Sequence, residues 1–237
     1  MPTVVFVHGL IGPFALDALD DATIVAPDLH GYGTTQAGGE ITIDRQADAL
    51  ARAIEPYARV HLVAHSVGGV IAASYAHRHP HRVASLTSVE GNFTLNDAFW
   101  SRELAAKPPH EVHELLERDR SDPARWLNDA GVEPTAERVT AAAEALAFQR
   151  ATTVQAMARA VVDYTGRSTY EPMLRDVFKT VPVHLIAGAR SRAGWDVPAW
   201  ALEAAASYAE IPDAGHMVML EAPEAFAAQL RRVVYDA

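Results

Sequence analysis

The chain contains no cysteine, which excludes disulfide scaffolds, thiolate metal sites and cysteine nucleophiles together. Lysine is nearly as scarce, with only Lys107 and Lys179 in 237 residues, and the formal net charge is -10. That sign argues against nucleic acid or another polyanion as the main partner. No apolar run approaches the roughly 18 residues of a membrane span. The opening MPTVVFVHGL has neither a basic n-region nor a long apolar h-region. The expectation from these absences is a cytoplasmic protein with no membrane partner.

What remains is close to average globular composition, 49% hydrophobic and 21% charged, long enough for one sizeable core. Short β-branched runs recur at residues 3–7, 23–28, 59–65, 82–90, 181–188 and 207–212. They are apolar without strict alternation, as strands buried on both faces of a parallel sheet are. Helical patterns fall between them. Thr42 is placed to cap a helix with Ile43, Ala47, Leu50 and Ile54 on one stripe, ending at Pro56. GGVIAASYAHRH follows Ser66 and stops before Pro80, and PEAFAAQLRRVV opens with Pro223 at a favoured first-turn position. The alternation predicts an α/β fold, a mostly parallel sheet of about six strands flanked by helices.

Residues 93–175 break the rhythm. They hold helix-like pieces such as NDAFWSRELAAK, HEVHELLERD and the long TAERVTAAAEALAFQRATTVQAMARAVVDY, and no convincing strand. The expected organisation is a core of residues 1–92 and 176–237 with a helical insertion at 93–175. An insertion at the carboxyl ends of parallel strands lies over the ligand crevice as a cap.

The strongest local signal is HLVAHSVGGV, residues 61–70. A strand runs into Ser66, small residues stand at 64, 68 and 69, and a helix begins at once. A side chain on so sharp a turn is pushed clear of the sheet, and the strained backbone tolerates only small neighbours. With Ala64 in place of the first glycine of G-x-S-x-G, this segment resembles the nucleophile elbow of the α/β-hydrolase family. VFVHGL at the end of the first strand resembles the family's oxyanion turn. PDLHGYG, residues 27–33, resembles the loop after its next strand, where Asp28 and Gly31 shape the turn. The resemblance implies an α/β-hydrolase fold, trimmed at the N-terminus of its two leading strands, with oxyanion donors at the backbone N–H groups of Leu10 and Val67. Each such donor is worth about 3 kcal/mol in the transition state.

The segment DAGHMVMLEAPEAF, residues 213–226, resembles the family's G-H-x-x-x-x-E-x-P pattern and makes His216 the base. His8 and His65 are read as packing residues, and His110 and His113 as lying on a solvated helix face. His77, His79 and His81 are read as cationic groups at a helix C-terminus and not as a metal site. The acid is less direct. In most relatives it follows the strand that here reads VHLIAG, yet the stretch beyond is ARSRAGWD, with Ser191 near the expected position. Some relatives carry the acid at the end of the preceding strand instead. There TSVEGN, residues 87–92, ends a buried run on Glu90, although glutamate is a poor strand former. Glu90 is therefore the candidate acid, with Asp196 as the alternative.

The resemblance implies a serine esterase that acts on a small carboxylic ester through an acyl-enzyme, with a small-molecule substrate and no cofactor or metal. The same triad serves C–C bond hydrolases and lyases, and a non-hydrolytic ligand receptor on this fold is a further alternative. Phe93, Phe99, Trp100, Trp126, Phe148 and Met157 are candidates either for an apolar pocket or for the insertion's own core. A trimmed sheet leaves an edge through which two copies could pair as a homo-oligomer.

Overall fold

The computed structural model describes residues 1–14, 19, 21–35 and 39–235. Strand β1 (Thr3–Val7) is buried along its whole length, and β2 (Thr23–Val25) pairs with it in parallel. Helix α1 (Ile43–Ala53) begins where Thr42 accepts the Arg45 N–H. Next come β3 (Val60–His65), α2 (Gly68–Arg78) and β4 (Val83–Val89). Six helices follow without an intervening strand: α3 (Phe99–Ala106), α4 (Pro109–Ser121), α5 (Pro123–Asp129), α6 (Ala136–Ala147), α7 (Ala151–Thr165) and α8 (Tyr170–Thr180). The chain then returns through β5 (Val183–Gly188), α9 (Ala199–Ala204), β6 (Ser207–Ile211), α10 (Val218–Glu221) and α11 (Pro223–Tyr235).

The strands form a six-stranded sheet in the order β2-β1-β3-β4-β5-β6, every neighbouring pair parallel. The central strands are buried on both faces because helices cover both. The outer strands β2 and β6 are only partly buried. On β6, Tyr208 accepts a bond from Arg192 at 2.7 Å and donates to Glu210, so polar groups line that edge. Helices α1 and α2 pack together, and α8 lies against α2, while α7 packs on α3 and α4.

The long helix-like segment of residues 135–164 is broken. Helices α6 and α7 are separated at residues 148–150, a stretch with no glycine or proline. Tertiary contacts cause the break: Phe148 O accepts from Gly33 N–H at 2.9 Å, and Gln149 pairs with Tyr32 as an antiparallel bridge. Helix α5 starts at Pro123, one residue after Asp122, whose carboxylate accepts the Arg125 N–H.

Candidate active site

Ligand-bearing residues in a parallel sheet gather at the carboxyl ends of its strands. Here β3, β4 and β5 end together, because His65 pairs with Val89 and Val89 pairs with Ile186. Ser66 follows β3 and takes φ 53°, and Glu90 follows β4 and takes φ 45°. Left-handed backbone is costly for any residue with a Cβ and persists where surrounding structure holds it in place. The hold is visible on the main chain: Ser66 N–H donates to Val89 O and Glu90 N–H donates to Ile186 O, each at 3.0 Å. Beyond Ser66 the chain turns straight into α2. A Cβ on Gly68 would stand 2.3 Å from Val7 O, so only glycine lets the helix start pass this close to β1.

Glu90 is buried, and all of its bonds converge on one geometry. Oε2 accepts from His216 Nδ1 at 2.7 Å, while Oε1 accepts from Gly188 N–H at 2.8 Å and from the Ser191 hydroxyl. Burial alone would raise its pKa. The His216 bond and charge, the Ser191 hydroxyl and the Gly188 amide outweigh that and hold it below the usual carboxylate value. The turn that carries it is pinned from three sides. Trp195 Nε1 donates to Gly91 O at 2.8 Å, Tyr170 OH donates to Asn92 O at 2.5 Å, and Asp97 accepts the Phe93 N–H at 2.8 Å.

His216 lies on the loop between β6 and α10. Gly188 at the end of β5 packs against the turn before it so closely that an added Cβ would meet Gly215 O at 2.2 Å. Glu221 accepts the Gly215 N–H at 3.0 Å and also pairs with Arg190, whose Nε donates to Asp213 O at 3.1 Å. On the other side, the His216 carbonyl accepts from His65 Nε2 at 3.0 Å. The imidazole itself is about half exposed, its side chain 48% accessible against 4% for Glu90. Because a carbonyl can only accept, Nε2 of His65 carries the proton. Burial drives the His65 pKa down to about 3, so the ring is neutral.

The Ser66 hydroxyl and His216 Nε2 make no hydrogen bond to each other or to any other group among the described residues. Catalytic hydrogen bonds often tighten only when substrate binds. The N–H groups of Leu10 and Val67 likewise have no acceptor among the described residues. His8, two residues before Leu10, is buried and its pKa is pushed down to about 4 by that burial. Its Nδ1–H donates to Gly9 O at 2.8 Å, on the peptide that also carries the Leu10 N–H.

The alternative acid points elsewhere. Asp196 accepts from the Thr94 hydroxyl at 2.6 Å and from Asn96 Nδ2 at 3.0 Å, and it makes no bond to His216. Asp28 accepts both the N–H and the hydroxyl of Thr34, at 2.7 and 2.6 Å, so it shapes its turn. His110 and His113 are exposed on α4. Among the described residues no group of three or more His, Cys, Asp or Glu could hold a metal ion. No helix among them is long and apolar enough to cross a membrane. Of the aromatic candidates, Phe99 is 67% exposed and outside any core, Met157 and Phe93 are buried, and Trp126 stacks on Phe14 with centroids 6.5 Å apart.

Ser191 was legible only as the residue standing where an acid was expected, and its bond to Glu90 was not. The roles of Arg190 and Glu221 were equally hidden, although Glu221 is the glutamate of the G-H-x-x-x-x-E pattern.

A model of the alpha/beta hydrolase family matches residues 4–229. The chain belongs to the alpha/beta hydrolase family. The chain is 33% identical over 129 residues to the dihydrolipoyllysine-residue acetyltransferase component of an acetoin cleaving system from Cupriavidus necator, a match covering 48% of this chain and 34% of that protein. It is 32% identical over 108 residues to 2-hydroxy-6-oxo-2,4-heptadienoate hydrolase from Pseudomonas putida, covering 41% of this chain and 39% of that protein. The matches thus span little more than a third of each curated relative. Among solved structures, a carboxylesterase study from Nitrososphaera gargenis superposes with a TM-score of 0.73 at 19% identity, over 98% of this chain and 89% of that one. At that identity the likeness speaks for the fold alone.

Proposed function

We propose that this alpha/beta hydrolase cleaves a small carboxylic ester through an acyl-enzyme. Ser66 Oγ attacks the ester carbonyl while His216 Nε2 takes the hydroxyl proton, forming a tetrahedral oxyanion held by the N–H groups of Leu10 and Val67. Collapse of that intermediate breaks the bond to the alkoxy oxygen, which leaves with the proton from His216. Water, deprotonated by the same imidazole, attacks the acyl-enzyme and releases the carboxylic acid. Glu90 keeps the proton on Nδ1, so that Nε2 is free to accept, and balances the imidazolium as it forms.

The observation that carries this reading is the Glu90 to His216 contact at 2.7 Å, made by a carboxylate buried beside a left-handed serine on the next strand. Residues 93–175 act in this reading as the cap over a core of 1–92 and 176–237. The bonds from Arg138 to Glu221 O at 2.9 Å and from Arg190 to Gly131 O at 2.8 Å support that role, as does the stacking of Trp126 on Phe14. A serine nucleophile disfavours the aspartate-based chemistries of this family.

A fluorophosphonate probe tests the reading. Stoichiometric labelling that disappears in Ser66→Ala, with turnover of short p-nitrophenyl esters, is the expected result. Ligand binding that survives Ser66→Ala without any ester turnover would make the protein a receptor instead. The likeness to a 2-hydroxy-6-oxo-2,4-heptadienoate hydrolase favours one second reading, cleavage of a C–C bond by the same residues. Faster turnover of such a dienoate than of any ester in the series would select it.

A further inference from the structure

The loop that carries Leu10 is closed into a ring by a residue from the helical stretch. Leu10 O accepts from Tyr32 OH at 3.3 Å, and two residues on, Gly12 N–H donates to Gln149 Oε1 at 3.3 Å. Tyr32 and Gln149 are themselves paired through their backbones, which completes the circuit. With His8 holding Gly9 O, each of the three successive peptides between Gly9 and Gly12 has one end fastened. The Leu10 N–H is left without an acceptor among the described residues.

Gln149 is 4% exposed, and its carboxamide has only one workable orientation. Nε2 donates to Ala145 O at 2.9 Å and to Leu146 O at 3.2 Å, carbonyls at the end of α6 that also accept from the Phe148 N–H and from Arg120 Nε. Turning the amide over would set its oxygen against those two carbonyls, so Oε1 must face the Gly12 N–H. The main-chain carbonyl of Gln149 is in turn held by Arg120 of α4. Residue 149 is therefore fixed at its backbone and at both ends of its side chain.

We propose that Gln149 is a positioning residue for the oxyanion hole, reaching from the helical stretch to hold the Leu10–Gly12 segment so that the Leu10 N–H aims at the developing alkoxide. This rests on the serine-hydrolase reading above. Oxyanion donors act because they are already oriented when charge develops, and a displacement of an ångström or less erodes the advantage. A residue that only capped α6 would affect stability without touching transition-state binding.

The test compares Gln149→Met with Tyr32→Phe, the double variant and Thr135→Ala. The last removes the N-terminal cap of α6 and leaves the ring intact. Kinetics on a p-nitrophenyl ester, affinity for an alkylboronic acid that forms a tetrahedral adduct with the serine, and melting temperature are read for each. Gln149→Met is expected to lower kcat by about 10- to 100-fold with little change in KM, and to weaken boronate binding in proportion. Tyr32→Phe should move the same two quantities, the pair should fall short of additivity, and Thr135→Ala should move only the melting temperature. Wild-type kcat and boronate affinity in Gln149→Met, or equal losses in Thr135→Ala, would overturn the proposal. A wild-type protein that neither turns over esters nor binds the boronate would overturn the hydrolase reading itself, and the two failures are told apart by which protein shows them.

Discussion

Ser66 and Glu90 stand at the same level just beyond the ends of adjacent parallel strands, and both hold left-handed backbone, with φ of 53° and 45°. Neither residue type favours that conformation, so each turn keeps its side chain at a cost of order 1 kcal/mol or more that a glycine would avoid. Two such residues side by side, one bonded to an imidazole, fit the proposed nucleophile and its supporting acid.

Glu90→Gln is expected to lower turnover by about 10⁴-fold, because a neutral amide can stabilise the wrong imidazole tautomer and cannot balance the imidazolium. Asp196→Asn should keep most activity, since its partners are Thr94 and Asn96. Steady-state kinetics on both purified variants check this, and the reverse ranking would move the acid to Asp196.

The strands were legible because buried parallel strands leave a plain compositional trace, and all six β-branched runs form strands. The elbow was legible because a tight strand-to-helix turn demands small residues at fixed offsets around Ser66. Glu90 was the candidate acid, over Asp196, from a missing aspartate and an out-of-place carboxylate; that Glu90 is the one lying against His216 needed coordinates, since it depends on which way the loop after β5 folds. The break at Phe148 and Gln149 had no local signal at all. Its cause is Tyr32 and Gly33, more than a hundred positions earlier in the chain, and helix propensity through AFQRATT runs on unbroken.

Ser191→Ala should reduce kcat by about 10-fold, the scale of one hydrogen bond to a charged group, because the Gly188 amide remains on the same carboxylate oxygen. The same variant should raise the pKa of Glu90, so the acidic limb of the rate profile would move to higher pH. Unchanged kcat and profile would mean that the hydroxyl contributes nothing to holding the acid.

Gly68→Ala is expected to destabilise the fold by about 1–3 kcal/mol, the usual cost of overpacking. The obstacle is backbone, Val7 O at 2.3 Å and His8 O at 2.6 Å from the new Cβ, and so cannot rotate away. Urea unfolding of the variant beside wild type measures the loss, and a midpoint equal to wild type would show that β1 yields more easily than the packing indicates.

Acid should weaken the protein through its buried histidines. His8 and His65 have pKa values lowered by burial to about 4 and about 3, from 6.5 when unfolded. Below 6.5 the unfolded chain binds protons that the folded one refuses, so stability present at neutral pH is lost as pH falls towards those folded values. Glu90, held below 4.5, adds to the loss at the acid end of the same window. Each histidine contributes up to about 1.4 kcal/mol per pH unit. Unfolding free energies between pH 6.5 and 4.5 should therefore show a slope smaller by about one proton in His65→Gln, and an identical slope would refute the assignment.

An acid placed just after β4, as proposed, divides the machinery unevenly along the chain. On the proposed assignment, Leu10, Ser66, Val67 and Glu90 all emerge from the ribosome early, on three neighbouring strands, whereas His216 arrives on the last loop. Until that loop docks against Gly188, no base on this assignment stands ready to draw the proton from the serine, so a chain still lacking it would be inactive.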